Sequence, residues 1–205
     1  MLEYKLEVVQ QPERARMCGF GERDRRPIDP PPIVKLITLK EDGSPNSIPI
    51  DSTSFVVHVD LWSSDCQKDC NVLLSTSGTH TRQGASSAFV TSDKGVYSRN
   101  LVGSLVSSAY NLSDHNGEKG IFFIFPDLSI RTEGKYCLRF LFTDLSQTDQ
   151  FPHSMVRTWV YSAPFSVYPA KSFPGVTVIT ELSKSFAKQG IKLAMRRPGS
   201  KEDLP

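Results

Sequence analysis

Period-two alternation of apolar and polar residues, in short runs cut by turn-forming clusters, constrains this chain more than any other feature of its sequence. Tyr4, Leu6 and Val8 alternate with Lys5 and Glu7. Phe55, Val57, Val59 and Leu61 alternate with Val56, His58 and Asp60. Tyr136, Leu138, Phe140 and Phe142 alternate with Lys135, Cys137, Arg139 and Leu141. Successive side chains of an extended strand point to opposite faces, so each run predicts one core face and one outer face. Further strands are expected at 33–39, 86–91, 121–125, 155–161 and 163–168. The last two are rich in Val, Trp, Tyr and Phe, which fit a pleated, half-buried surface. Turn chemistry separates the runs: EDGSPNS at 41–47, SDKG at 92–95, DHNGEKG at 114–120 and RTEG at 131–134. Many short strands divided in this way predict a mostly β, antiparallel sandwich or barrel.

One segment breaks the period. In TELSKSFAKQG, Thr180 is placed to cap a helix and Glu181 to favour its dipole. Leu182 and Phe186 share a face at i, i+4, and Gly190 suits the left-handed turn that closes a helix. The prediction is therefore a β-sandwich with a short C-terminal helix. At 205 residues, 39% hydrophobic and 22% charged, the chain can bury one full core. A single domain is expected over 1–195, followed by a frayed tail, RRPGSKEDLP, at 196–205.

Several function classes find no support. The four histidines, His58, His80, His115 and His153, fall in no metal-ligand spacing. Cys66 and Cys70 form a C-x3-C pair beside Asp65 and Asp69, but zinc needs further ligands. No nucleophile elbow, P-loop or dinucleotide fingerprint is present. The Ser-rich run 75–87 reads as a solvated loop, and Asp127, Asp144 and Asp149 fit turns. Trp62 and Trp159 read as core or interface aromatics. The expectation is no enzyme, no cofactor, no metal and no small-molecule substrate. MLEYKLEVVQQPER has no apolar h-region, and no apolar run approaches the roughly 18 residues of a membrane helix. An intracellular chain, with Cys18, Cys66, Cys70 and Cys137 as thiols, is expected.

The segment from Gln10 to Pro32 has a different character. Arg14, Arg16, Arg23, Arg25 and Arg26 crowd together, with Gly19 and Gly21 flanking Phe20. Pro27, Pro30, Pro31 and Pro32 then stiffen the exit. A stiff exit fixes where the arginines project, so less order is lost on binding. Arginine's planar fork matches phosphate oxygens and the guanine edge. Met17 and Phe20 are expected to pack the loop onto the sandwich. Glu13, Glu22 and Asp24 dilute the charge, and the net charge of the chain is only +2. An ordinary solvated surface with weak ion pairs therefore fits the same stretch. A second basic set, Lys184, Lys188, Lys192, Arg196 and Arg197, fits a solvated helix face better than a binding site.

Five stretches, in order along nearly the whole chain, resemble the velvet family of fungal regulators. They are LEVVQQPERARMCGFGERDRRPIDPPPIVKL, LVGSLVSSAYNL, GIFFIFPDLSIRTEGKYCLRF, APFSVYPAKSFPG and LSKSFAKQGIKL. The wording RARMCGFG is most similar to the VelB- and VelC-like branches, some of which carry a long insertion that this chain lacks. The resemblance implies an immunoglobulin-like fold of the Rel-homology type. It implies sequence-specific binding to double-stranded promoter DNA by homo- or heterodimers of velvet proteins. It implies control of sporulation, development and secondary metabolism, in the nucleus and also the cytoplasm. Basic residues just before the proline exit contact DNA in relatives, and the matching positions are Arg23, Arg25 and Arg26. Asp24 stands where that stretch is often basic or aromatic. Arg14 and Arg16 join the set by charge and proximity, and Lys35 as a further candidate that also fits the outward position of a strand. The alternative is a protein-interaction module whose velvet partner makes the DNA contacts.

Overall fold

The computed structural model describes residues 3–20, 25–46, 50–75, 89–92, 95–147 and 155–193. Its strands are β1 (Glu3–Gln10), β2 (Arg14–Arg16), β3 (Ile33–Leu39), β4 (Phe55–Ser63), β5 (Val72–Ser75), β6 (Phe89–Ser92), β7 (Gly95–Arg99), β8 (Leu101–Val102), β9 (Val106–Ser108), β10 (Tyr110–Ser113), β11 (Lys119–Ile124), β12 (Ser129–Ile130), β13 (Gly134–Asp144), β14 (Val156–Tyr161) and β15 (Phe165–Tyr168). One helix, α1 (Glu181–Lys188), follows them. The tail at 196–205 lies outside the described residues.

The two most strongly alternating runs form the antiparallel centre of the larger sheet. β13 pairs with β4 from Tyr136↔Ser63 to Asp144↔Phe55. Phe55, Val57, Val59 and Leu61 on one strand, and Leu138, Phe140 and Phe142 on the other, are essentially inaccessible. The sheet runs β2-β15-β13-β4-β9, with β14 also on β13. β15 and β14 occupy successive lengths of one β13 edge. Ser162 fills the step between them, its N–H donating to Leu138 O at 2.8 Å and its hydroxyl accepting from Leu138 N at 2.9 Å.

The smaller sheet has the order β1-β3-β11-β10. Its Leu6, Val34, Leu36 and Phe123 meet the larger sheet in one core. Tyr4, Phe55 and Phe142 interlock there, with ring centroids 5.0–6.0 Å apart. This is the sandwich that the alternation predicts, each fully buried Leu or Phe contributing about 1.5–3 kcal/mol. β5, β7 and β6 form a separate small sheet.

The opposite face of the smaller sheet carries the helix. Leu182 and Phe186 pack on Ile33, Phe122 and Ile124, with the Phe122 and Phe186 rings 4.8 Å apart. An eight-residue helix is marginal alone, so this packing holds it. Thr180 caps it as expected, its hydroxyl accepting from Ser183 N at 3.0 Å. Gly190 closes it at φ 93°.

Two local features differ from the alternation. β2 pairs parallel to β15, through Ser166↔Arg14, Val167↔Ala15 and Tyr168↔Arg16. Cys137 has outward parity yet is fully buried. The turn after β4 folds over it, placing Cys66 Sγ 3.1 Å from Cys137 Sγ.

Candidate nucleic-acid interface

The basic segment begins as a strand. On β2, Ala15 points inward and is completely buried, which leaves Arg14 and Arg16 on the outer side. The backbone of Arg14 exchanges both hydrogen bonds with Asp29, at 2.9 Å each. The two ends of the Arg-rich stretch are thus tied before the loop between them begins.

A second set of bonds pins the loop to the end of β15 and to β12 and its flanks. On the incoming side, Met17 N donates to Tyr168 O at 2.8 Å, Cys18 N to Ile130 O at 2.9 Å and Gly19 N to Arg131 O at 3.1 Å. On the outgoing side, Ile28 N donates to Leu128 O at 2.7 Å, and the Ser129 hydroxyl donates to Arg26 O at 2.9 Å. Ile28 is buried in the core and Met17 packs against it. Phe20 is 45% exposed, under the guanidinium of Arg131 at 5.5 Å. Of the two side chains expected to pack, Met17 does so, half-buried against the core, while Phe20 stays 45% exposed with its ring beside Arg131.

Arg131 organises this base. It is 8% exposed, and its Nη1 donates to Gly19 O at 2.8 Å while its Nε donates to Arg99 O at 2.9 Å. Buried Asn100 fixes the next residue, accepting from Thr132 N at 3.2 Å and its hydroxyl at 2.9 Å. A positive charge is thus nearly buried at the Gly19 end of the loop.

The sequence-predicted residues divide into three groups. Arg25 is exposed, and its Nη2 makes one long contact of 3.5 Å to Asp127 O. The Asp127 carboxylate is occupied by the Ser104 N–H and hydroxyl, at 3.0 Å each. Arg26 is half-buried and lines a shallow groove with Pro27, Ile28, Phe173 and Val176. Arg14 makes a 3.5 Å ion pair with Glu13, and Arg16 is half-buried. These four share the corner around β2 and β12. Arg23 and Asp24 lie outside the described residues. Lys35 belongs elsewhere: it sits on the helix-bearing face of the smaller sheet, between Glu7 and Phe122, with its ammonium 5.7 Å from the Phe122 ring.

Two basic residues that the sequence did not single out extend the corner. Lys135 is exposed on β13, in line with Ser166 on β15 and Arg14 on β2. Arg99, at the end of β7, is exposed, and its own carbonyl accepts from Arg131. Lys135 had a signal, the outward position of an alternating run. Arg131 had none, because RTEG reads simply as a turn.

Among the described residues no three His, Cys, Asp or Glu side chains converge as a metal site would need. A β-sandwich that fixes a basic loop at both roots is a scaffold for anion contact, with phosphate as the natural counterpart. The velvet factor family model matches residues 4–94 and 80–200, and the chain belongs to the velvet family. A velvet complex subunit of Aspergillus flavus is 32% identical, over 97% of this chain and 79% of its own length. Its counterpart in Fusarium oxysporum, also named as a velvet complex subunit, is 30% identical over 95% of the chain, which spans 63% of that protein. The sexual development regulator umv3 of Mycosarcoma maydis is 36% identical over 94% of the chain and 45% of its own length. The Fusarium alignment runs over 304 positions against a chain of 205 residues, so that relative carries sequence with no counterpart here.

Proposed function

We propose that this chain is a developmental regulator that binds double-stranded promoter DNA in a sequence-specific manner, as a homo- or heterodimer of velvet proteins. Arg23, Arg25 and Arg26 make the leading contacts, and Arg14 and Arg16 the supporting ones. The relatives' names, velvet complex subunit and sexual development regulator, support the developmental role and the pairing with other velvet proteins. Nuclear action, an effect on sporulation and secondary metabolism, and the absence of catalysis belong to the same reading.

The observation that carries it is the double anchoring of the loop, through Cys18 and Gly19 on one side and Arg26 and Ile28 on the other. Anchored roots with an exposed Arg25 between them lower the ordering cost of a phosphate contact. Lys35 takes no part in it. The test is fluorescence anisotropy of the purified chain on promoter DNA, beside an Arg25→Ala/Arg26→Ala variant.

The alternative, a module whose partner makes the DNA contacts, draws on a different surface. Trp159, Leu141, His58 and Val106 align across four strands on the outer face of the larger sheet. Trp159 is 58% and Val106 53% exposed, and these two apolar side chains are what this reading would offer a partner. DNA binding that appears only with a partner and survives loss of the arginines would favour this second reading.

A further inference from the structure

We propose that Cys66 and Cys137 form a reversible, peroxide-driven disulfide, a modification site independent of the DNA-binding reading. All four cysteines are thiols in this structure. Cys66 and Cys137 are 71 positions apart in sequence, yet their sulfurs lie 3.1 Å apart. The two positions differ in exposure, which decides the thiol that an oxidant in solution meets first. Cys66 is half-exposed in the turn that follows β4, whereas Cys137 is fully buried in β13. Burial, together with the neighbouring Cys66, pushes the Cys137 thiol up to about 12, so it stays protonated while solvent reaches Cys66 first.

The turn holds Cys66 over its partner at a conformational cost. Cys66 is the only non-glycine with positive φ, at 60°, among the described residues. An L-residue is disfavoured there, and such conformations persist only where the surroundings impose them. Here the surroundings are dense. Cys66 N donates to Ser63 O at 2.8 Å, Ser63 N to Lys68 O at 2.9 Å and Lys68 N to the Ser63 hydroxyl at 2.9 Å. The Asp65 carboxylate accepts from the Ser63 hydroxyl and from Gln67 N. The Cys137 thiol points into the same turn, donating to Ser63 O at 3.1 Å. Cys70, the nearer cysteine in sequence, instead directs its thiol to Lys68 O at 3.6 Å.

The chemistry balances with hydrogen peroxide as oxidant. The Cys66 thiolate attacks one peroxide oxygen, the O–O bond breaks, and the departing hydroxide takes a proton and leaves as water. Cys66 is then a sulfenic acid. The Cys137 sulfur attacks that sulfur as its S–H proton passes to the leaving hydroxyl, which departs as a second water. Two thiols lose two electrons and two protons, and peroxide is reduced to two waters. A dithiol reductant reverses the reaction by exchange.

The cross-link would clamp the 63–68 turn to β13 beside Trp62, the β4 residue paired with Cys137. Trp62 carries the Arg139 guanidinium 4.4 Å from its ring and Tyr161 at 5.9 Å. The oxidation state is thus written next to the aromatic outer face of the larger sheet.

Mass spectrometry of the full chain tests this directly. Reduced protein is treated with hydrogen peroxide, freed of peroxide, unfolded in guanidinium chloride, alkylated with N-ethylmaleimide and digested with trypsin, which separates Cys66 from Cys70 by cutting after Lys68. The expected result is loss of two alkylatable thiols of the four, with a Cys66–Cys137 cross-linked peptide lighter by two hydrogens and restored by dithiothreitol. Cys66→Ser should leave Cys137 a thiol under the same treatment. Cys137→Ala should leave a Cys66 sulfenic acid that dimedone traps. A Cys66–Cys70 bond, a bond between two chains, or full alkylation of Cys66 and Cys137 after peroxide would overturn the proposal. Cys66→Ser alters an accessible turn residue, so its folded state, checked by circular dichroism, keeps the test valid even if Cys137→Ala unfolds.

Discussion

Arg131 holds the carbonyl of Gly19 at 2.8 Å from within the sandwich, and through it the base of the basic loop. The same side chain reaches Arg99 O, so one nearly buried cation closes two backbone segments. Arg131→Met keeps the bulk and removes the donors. It should cost about 1–3 kcal/mol by stranding acceptors in a partly buried site, read by chemical denaturation. Because Arg131 shapes the loop rather than touching a phosphate, DNA affinity should fall with little change in salt slope.

Gly103 and Asp127 test the outgoing side. Gly103 has φ 118°, and a Cβ there would sit 2.5 Å from the Asp127 carbonyl oxygen, the atom Arg25 contacts. Gly103→Ala combines a disfavoured conformation with a backbone clash. A loss of about 2 kcal/mol or more is expected, together with weaker DNA binding. A variant as stable as wild type would show that the corner tolerates displacement.

Asp144 gives a pH dependence. Burial alone would raise its carboxyl, but hydrogen bonds from Ser146 and Ser54 and the charge of Arg157 outweigh burial and hold it below the usual carboxylate range. A group depressed in the folded state stabilises fully above its unfolded value and loses that contribution as pH falls through the folded one. Stability should therefore decline below about pH 4, and Asp144→Asn should flatten that decline. Parallel acid titrations of denaturation midpoints measure it; equal acid sensitivity in both proteins would contradict the assignment.

What the sequence disclosed follows from length and from locality. β4 and β13 offered seven or more alternating positions, and their buried faces are the ones the alternation predicts. The cap at Thr180 and the closing Gly190 were equally local signals. β2 was not legible, because Arg-Ala-Arg shows one small apolar residue, and its partner β15 lies some 150 residues away. Cys137 departs from its outward parity for a related reason: parity reports the strand's own faces, not a turn folded over one of them. In the site, Arg14, Arg16, Arg25 and Arg26 share a corner as their clustering implied. The separation of Lys35 and the organising role of Arg131 depend on which face β3 turns to the helix and on where β12 lands. Both are tertiary facts with no local sequence signature.

The central claim is that the loop arginines make phosphate contacts, and salt-dependent DNA binding tests it most directly. Binding of wild type and Arg25→Ala/Arg26→Ala to promoter DNA should be measured by anisotropy across a salt series, with circular dichroism confirming the fold. Each phosphate contact contributes about 0.9 to the slope of log K against log salt. The double variant should bind at least about tenfold more weakly near physiological salt and show a slope shallower by about 2. A folded variant with wild-type affinity and wild-type slope would contradict the account.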